Sequence, residues 1–279
     1  MIKFLKLKNF RLRQIVSYGL LLIFSILVAF PLIYAVMTSF MSTADIMGGK
    51  IIPSSLNLSN YKSLLEQIPI TNFFVNSLIT SVLGMILQII ICSLAAYSIV
   101  FINFKSKDKI FLIIMLSVFI PWESIFIPNY FTILNLGLLN SRVAIFLPFI
   151  ANGLGIFLMV QQFKVLNKSL IEAAKIDGCG HLFIYLRIVL PLSKGILSTW
   201  GIYAFLSMWN MYLWPLMIST RPESRTIQIG LKMLKSQETA NNFGVLMAAV
   251  IMVVIPSLVV LFLGQKQIQK GLTSGAVKE

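Results

Sequence analysis

Residues 67–104, QIPITNFFVNSLITSVLGMILQIIICSLAAYSIVFINF, contain no charged side chain. A charged group in the hydrocarbon core of a bilayer is costly unless it is paired or solvated, and one spanning helix needs roughly 20 apolar residues. The stretch is therefore long enough to cross a membrane as a helix. The whole chain agrees with this interpretation: of its 279 residues, 58% are hydrophobic and 11% are charged, against about 25% charged in a soluble domain.

Further uncharged runs occupy residues 14–44, 143–163, 195–220 and 239–265, and a sixth candidate begins at Ile110 and is interrupted by Glu123. The first run is longer than the apolar part of a cleavable signal peptide, so we interpret it as a retained span. The pattern predicts an all-α integral membrane protein with one transmembrane domain at 15–264. Its six spans are expected at about 15–37, 72–101, 110–127, 143–161, 196–217 and 244–264.

The basic residues indicate which ends of the spans face the cytoplasm. With the N-terminus inside, four segments lie in the cytoplasm, namely 1–14, 103–109, 162–195 and 265–279, and they hold 16 of the 23 Lys and Arg residues. Basic loop residues favour the cytoplasmic side, so both termini and the loop at 162–195 are predicted to be cytoplasmic. Four basic residues in one outer loop run against this trend: Arg221, Arg225, Lys232 and Lys235.

Composition and motifs exclude several functional classes. Two cysteines and one histidine, His181, are too few for a zinc site or a disulfide framework. The sole Gly-Lys pair, Gly49-Lys50, precedes Ile51, whereas a phosphate-binding loop requires Ser or Thr there. We therefore expect no enzyme activity, no metal and no bound cofactor in this chain. The net charge of +14 is interpreted as membrane topology and not as nucleic-acid binding.

The loop after the fourth predicted span reads KVLNKSLIEAAKIDGCGHLFIYLRIVLPLSKG, residues 164–195. Ser169 and Glu172 have the spacing of a capping box and predict a helix that starts there. Gly178 suits the left-handed residue that ends such a helix, and a second helical stretch can run up to Pro191. The loop is thus predicted to be a helix, a turn and a helix at the inner face of the membrane.

The spacing of seven residues in this loop resembles the EAA loop of bacterial ABC importer permeases: Glu172, Ala173, Ala174, Gly178, Ile188, Leu190 and Pro191. The resemblance covers most of the chain. LNLSNYKSLL (56–65), WNMYLWPLM (209–217) and GLTSGAVKE (271–279) are similar to segments of the carbohydrate-uptake permeases of the maltose-transporter type.

The resemblance implies a multi-pass permease of the bacterial inner membrane that moves a carbohydrate, with an oligosaccharide as the first choice. A glycerol 3-phosphate or polyol importer of the same family is the alternative. It also implies a second homologous permease chain, two subunits that bind ATP and Mg, and an extracytoplasmic solute-binding protein, with membrane lipid around the spans and no nucleic acid. An ion-coupled secondary transporter is the rival class, but it needs ionisable residues within spans, and this chain offers Glu123 near one boundary.

The resemblance also assigns roles to residues of the loop. Gly178 would permit the turn, Ala173 and Ala174 would let the ATPase subunit come close, and Glu172 would fix the helix start or contact that subunit. Asp177, Ile188, Leu190 and Pro191 would support the loop geometry.

The substrate pathway has four candidates, Glu123, Trp209, Asn210 and Trp214. Sugars bind to aromatic faces and hydrogen-bonding groups, and polar residues inside membranes often mark a pathway. For the two tryptophans, anchoring at the membrane interface is the alternative.

Overall fold

The computed structural model describes residues 2–236 and 242–273, with side chains at 14, 16–236 and 242–265, and this part of the chain is helical without strands. The prediction of an all-α protein is confirmed. The last residues of the predicted tail, 274–279, lie outside the described part. The α-helices are α1 (Ile2–Ser39), α2 (Thr43–Met47), α3 (Ser59–Gln67), α4 (Ile70–Phe101), α5 (Lys107–Ser117), α6 (Phe126–Asn135), α7 (Arg142–Phe146), α8 (Gly153–Lys164), α9 (Lys168–Ile176), α10 (His181–Ile184), α11 (Leu190–Leu192), α12 (Lys194–Trp209), α13 (Leu213–Ile218), α14 (Ile227–Ser236) and α15 (Phe243–Thr273).

Within the described residues, three helices are long and apolar enough to cross a bilayer without a break. They contain the segments Val16–Ser39, Ile70–Phe101 and Phe243–Gln265. These segments overlap the predicted spans at 15–37, 72–101 and 244–264 closely. Each lacks charged residues over more than the roughly 20 positions that the hydrocarbon core requires.

The other predicted spans, at 110–127, 143–161 and 196–217, are not continuous helices. α5 and the segment Trp122–Asn135 meet at 98°, and Arg142–Phe149 meets α8 at 53°. Pro121 lies in the first break, where proline removes a backbone donor and clashes with the preceding turn. The second break comprises residues 150–152, and there Asn152 caps the start of α8 by accepting the Gly155 N–H with its side chain. In the third case α12 ends at Trp209 and the chain resumes helix in α13. The described residues give up to six crossings if each bent helix pair is one span, the third such pair being His181–Leu192 with α12.

The described residues divide into two compact units, the first formed by 2–68, 231–236 and 242–252. In this unit the end of α1 is tied to α3 by Asn60, whose Nδ2 donates to the carbonyls of Ser39 (3.0 Å) and Met41 (2.8 Å). The Ser39 hydroxyl also bonds the Tyr61 hydroxyl over 2.9 Å. The two Asn60 bonds satisfy backbone carbonyls at the end of α1 and just after it, where the helix no longer supplies partners.

The second unit comprises residues 69–230 and 253–273 and is organised around α4, which packs along α8 and α12. Gly155 of α8 shows how close this packing is, because a Cβ atom there would lie 2.6 Å from the Trp200 indole. A first apolar cluster, here called the loop cluster, joins α4, α8 and α12 to the loop after α8; it includes Cys92, Ala96, Tyr97, Met159, Phe163, Ile171, Ala174, Ile184, Tyr185, Val189 and Trp200. A second cluster contains Ile133, Ala144, Ile145, Trp214 and Ile218.

Candidate functional site

The loop after α8 has the helix, turn and helix that the sequence predicts. α9 forms the first helix, and the second stretch is helical from His181 to Leu192, with π-helical hydrogen bonding at Tyr185–Val189. This stretch then meets α12 at an angle of 81°. The loop is therefore a defined structural element and not an irregular connection.

The capping box predicted at Ser169 and Glu172 is wrong. α9 begins at Lys168, and its cap is Asn167, whose Oδ1 accepts the Ser169 backbone N–H at 3.0 Å. Asn is as good a capping residue as Ser. Because the helix starts earlier, Ser169 lies within its first turn, where its hydroxyl donates to Asn167 Oδ1 over 2.8 Å. Glu172 is exposed.

The turn that follows α9 is closed by paired backbone hydrogen bonds. The Gly178 N–H donates to the Lys175 carbonyl (3.1 Å) and the Cys179 N–H to the Ala174 carbonyl (2.9 Å), which is the Schellman arrangement. Gly178 has φ +80°, a left-handed conformation that glycine adopts without steric cost. The structure thus supports the expectation that Gly178 permits the turn. Asp177 is the C-cap residue of α9.

The two alanines of the predicted docking motif point in different directions. Ala173 is exposed, whereas Ala174 is 7% exposed and packs in the loop cluster beside Ile171. The expectation that both alanines open the surface to a partner is therefore corrected: Ala174 lets α9 lie close to its own unit. The exposed face contains an apolar residue that the sequence analysis missed, Ile176, which is 86% exposed.

The second helical stretch packs against the loop cluster through Ile188 and Leu190, which the sequence analysis singled out, and through Tyr185, which it did not. Ile188 and Leu190 are half-buried against the loop cluster and support the loop, whereas Pro191 is exposed in α11. Tyr185 is fully part of the cluster, and its hydroxyl bonds Ser93 of α4. The signal that could have identified it is its position four residues after His181, on the same face of a helix.

The four candidates for the substrate pathway do not form one site. Trp209 and Trp214 are 1% and 0% exposed, and their indole N–H groups donate to the carbonyls of Val253 and Ala144 at 3.0 Å. Their ring faces are therefore not available to a sugar in this conformation. Asn210 and Glu123 are exposed, and Asn210 Oδ1 accepts from Gln228 Nε2 at 3.4 Å.

A polar cluster at the start of α4 was also missed; we call it the Asn76 cluster and define it as Asn76, Arg142, Glu223 and Arg225. Asn76 is 1% exposed, and its Nδ2 donates to the carbonyls of Glu223 (2.7 Å) and Arg225 (2.9 Å). Its Oδ1 accepts from Arg142 Nε. The Asn76 hydrogen bonds therefore hold the segment after α13 against α4.

Asn140 orders the neighbouring part of the same segment. It has φ 62°, a conformation that Asn tolerates better than most residues. Its Oδ1 accepts from Thr220 Oγ1 (3.0 Å), the Arg221 N–H (2.9 Å) and Ser224 Oγ (3.2 Å). A cavity of about 340 Å³ opens here, lined by Asn140, Arg142, Arg221, Glu223 and Ser224.

Comparison with known proteins shows the class to which this architecture belongs. Residues 81–274 match the family described as the binding-protein-dependent transport system inner membrane component. The chain belongs to this family. It is therefore a multi-pass membrane permease of the ABC importer class, a transport component and not an enzyme. Among the described residues, no group of His, Cys, Asp and Glu side chains could hold a metal ion.

Individual relatives are also transport permeases, and they match this chain over nearly its full length. It is 30% identical to the lactose transport system permease protein LacG of Rhizobium radiobacter, covering 96% of this chain and 97% of that protein. It is 29% identical to the sn-glycerol-3-phosphate transport system permease protein UgpE of Rhizobium meliloti (strain 1021), over 93% and 95% of the two chains.

A solved structure shows the same fold. In the crystal structure of a bacterial ABC transporter involved in the import of the acidic polysaccharide alginate, one chain superposes with a TM-score of 0.83 and 26% identity. The match covers 92% of this permease and 97% of that chain. The broken helix pairs therefore belong to a fold that an ABC importer uses.

Proposed function

We propose that this permease forms one half of the pore of an importer that carries a carbohydrate, in the first place an oligosaccharide, across the bacterial inner membrane. The relatives that transport lactose and alginate support this substrate class. A second homologous permease would complete the pore, and an extracytoplasmic solute-binding protein would deliver the solute.

The loop at 168–180 would dock on a separate ATPase subunit, which binds ATP and Mg and supplies the energy. One observation carries this proposal: the turn at Gly178 is closed by two backbone hydrogen bonds and yet is exposed. A rigid, exposed turn can transmit force because it does not deform when a partner pushes on it. Exposed Glu172, Ala173 and Ile176 offer one charged and two apolar contacts on the same short helix.

Docking on a cytoplasmic ATPase requires a particular topology. The proposed domain spans 15–264, with six crossings, and leaves 1–14, the coupling loop 162–195 and 265–279 in the cytoplasm together with both termini. The distribution of basic residues supports this orientation.

Labelling of Lys175→Cys tests the orientation. The native Cys179 is half-buried four residues away, so the variant is made in a Cys179→Ser background. A membrane-impermeant maleimide should label position 175 in inside-out vesicles and leave it unlabelled in intact cells. Labelling in intact cells would overturn both the topology and the docking role.

ATP-driven closure of the ATPase pair would shift the permease between inward- and outward-facing states. Such a shift requires contacts that differ in strength between the two states. In the described conformation, exposed Asn210 and Glu123 remain candidates for contact with the solute, whereas Trp209 and Trp214 would support the helix ends that carry them.

A glycerol phosphate or another small anionic solute is the second candidate. Arg142 and Arg221 line the cavity near Asn140, and one relative transports sn-glycerol 3-phosphate. To decide, the complex formed with this chain is purified with its partners and reconstituted in liposomes. ATP hydrolysis stimulated by oligosaccharides with the cognate binding protein would support the first proposal; stimulation by glycerol 3-phosphate alone would overturn it.

The docking role is tested by Gly178→Pro. Proline cannot adopt φ +80°, so the turn cannot form, whereas the spans are untouched. We expect normal membrane insertion and loss of the ATPase from the purified complex. Gly180→Ala is the matched control, because Gly180 has φ −71° and open space around it. Retained ATPase and normal uptake in Gly178→Pro would contradict the docking role.

A further inference from the structure

Two side-chain hydrogen bonds join the coupling loop to α4. Tyr185 OH lies 2.6 Å from Ser93 Oγ, and Tyr97 OH lies 3.0 Å from His181 Nδ1. Ser93 and Tyr97 are four residues apart on α4, and His181 and Tyr185 are four residues apart in the second helical stretch. Residues with this spacing share one face of a helix, so the two helices meet through two parallel hydrogen bonds.

The Ser93–Tyr185 bond has a defined direction. The Ser93 hydroxyl already donates to the Ile89 carbonyl over 2.6 Å, and a hydroxyl has a single proton to give. Tyr185 is therefore the donor to Ser93. Both side chains are buried in the loop cluster region, where water does not compete and a hydrogen bond is electrostatically stronger.

Aromatic packing fixes the same contact in orientation. The Tyr97 ring is T-shaped against Tyr185 (centroids 5.5 Å, 72°) and against His181 (6.0 Å, 81°). Such edge-to-face pairs stabilise a contact beyond the area that they bury, because the positive ring edge meets the negative ring face. The second helical stretch is thus restrained against both sliding and rotation on α4.

The second helical stretch also departs from regular α-helical geometry at this contact. π-helical hydrogen bonding starts at Tyr185 and ends at Val189, just before the 81° bend into α12. π-helical turns are rare and often lie at functional sites. The contact therefore lies between the proposed docking turn and the helix that enters the membrane.

We infer that the Ser93–Tyr185 and Tyr97–His181 pairs form a latch that transmits displacement of the coupling loop to α4, the long central helix of its unit, and not to α12 alone. The four residues are positioning residues and touch no solute. The inference rests on the proposed docking of the ATPase on this loop. Docking would then displace α4 as well as α12, and through α4 also α8, because α4 packs along both α8 and α12.

The test uses Tyr97→Phe, Tyr185→Phe and the double variant in the reconstituted complex. Phenylalanine keeps both rings and the packing, and Ser93 keeps its bond to the Ile89 carbonyl, so the fold should persist. A hydrogen bond contributes about 1 kcal/mol, so solute transported per ATP hydrolysed should fall about fivefold in each single variant and further in the double one. Tyr203→Phe, on the half-exposed Tyr203 of α12, is the control and should leave the ratio unchanged.

A distance measurement separates transmission from simple stability. Spin labels at Leu94→Cys on α4 and Leu182→Cys on α10, both exposed, report whether the two helices move together. Their separation should stay constant through the ATP cycle in the native complex and change in the double variant. An unchanged separation or an unchanged transport ratio in the double variant overturns the latch. The docking proposal fails by a different result, namely retention of the ATPase in Gly178→Pro.

Discussion

Arg142 donates its Nε–H to Asn76 Oδ1 over 2.8 Å, although the two residues are 66 positions apart. Asn76 in turn holds the carbonyls of Glu223 and Arg225. One buried amide thus connects α4, the start of α7 and the segment after α13. Asn76, a polar side chain within an uncharged, apolar helix, thus stabilises the contact between these elements.

Asn76→Ala should destabilise the permease. The substitution removes three hydrogen bonds and leaves buried polar atoms without these partners, at a cost of about 2–4 kcal/mol. The midpoint of thermal unfolding, measured on the purified complex by size-exclusion after heating, should fall by roughly 5–10 °C. Asn135→Ala, at an exposed position of α6, is the control; equal midpoints for the two variants would show that the Asn76 cluster contributes nothing.

Substitutions at Gly178 should weaken ATPase binding in a fixed order. The left-handed conformation at φ +80° costs Asn little, Ala roughly 1–2 kcal/mol and a β-branched residue more. No atom lies within 4 Å of the added Cβ, so the effect is one of backbone strain. ATPase recovered with the permease should decrease from Gly through Asn and Ala to Val. Indistinguishable ATPase recovery for Gly178→Ala and Gly180→Ala would refute this order.

Gly155→Ala should separate α8 from α12. A Cβ there would lie 2.6 Å from two ring carbons of Trp200, a bulky side chain that is buried and cannot move aside freely. Overpacking of this kind costs typically about 1–3 kcal/mol. Thermal unfolding should occur at a lower temperature than in Gly195→Ala, where the added atom meets nothing within 4 Å. If both variants unfold at the native temperature, the helices are not as close as described.

The turn after α2 should be insensitive to pH across the physiological range. Hydrogen bonds from Lys50 and then from Ser54 hold the pKa of Asp45 well below its usual range. A carboxylate with a lowered pKa stabilises the folded state above its unfolded pKa, about 3.9, and loses that contribution only as the pH falls through the lower folded value. Hydrogen exchange at the Ser54 amide, corrected for intrinsic rates, should therefore show equal protection at pH 5 and pH 8.

Asp45→Asn is the matching variant for this turn. It keeps an acceptor for Ser54 and removes the ion pair with Lys50, whose Nζ lies 2.7 Å from the carboxylate. Protection of the Ser54 amide should decrease at both pH values. Native-like protection in the variant would mean that the charge of Asp45 does not hold the turn.

The unbroken spans were predictable because their cause is local. Residues 67–104 carry no charge and suffice to cross a bilayer as one helix, and α4 covers Ile70–Phe101. The breaks after Ser117 and Trp209 were not predicted. Hydropathy averages over many residues, so it cannot tell a straight crossing from two helices at an angle.

In the coupling loop, too, some features were predictable from the sequence and others depended on the tertiary structure. Gly178 predicted the turn correctly, because few residues other than glycine accept φ +80°. The start of α9 was misplaced because Asn167 and Ser169 are both good caps, and the choice between them depends on a hydrogen bond in three dimensions. Whether an alanine faces outward was likewise undecided until the helix had packed, with Ala173 exposed and Ala174 buried.

Membrane insertion, helical class and the position of the turn at Gly178 follow from the amino-acid order, since apolar run length and glycine conformation act over a few neighbouring residues. The Asn76 cluster and the hydrogen bonds between α4 and the loop after α8 arise only when the chain has folded. Ser93 and Tyr185 are separated by 92 positions, and no local rule relates two side chains that distant. Their meeting depends on how α4 packs with the loop, which is a property of the assembled unit.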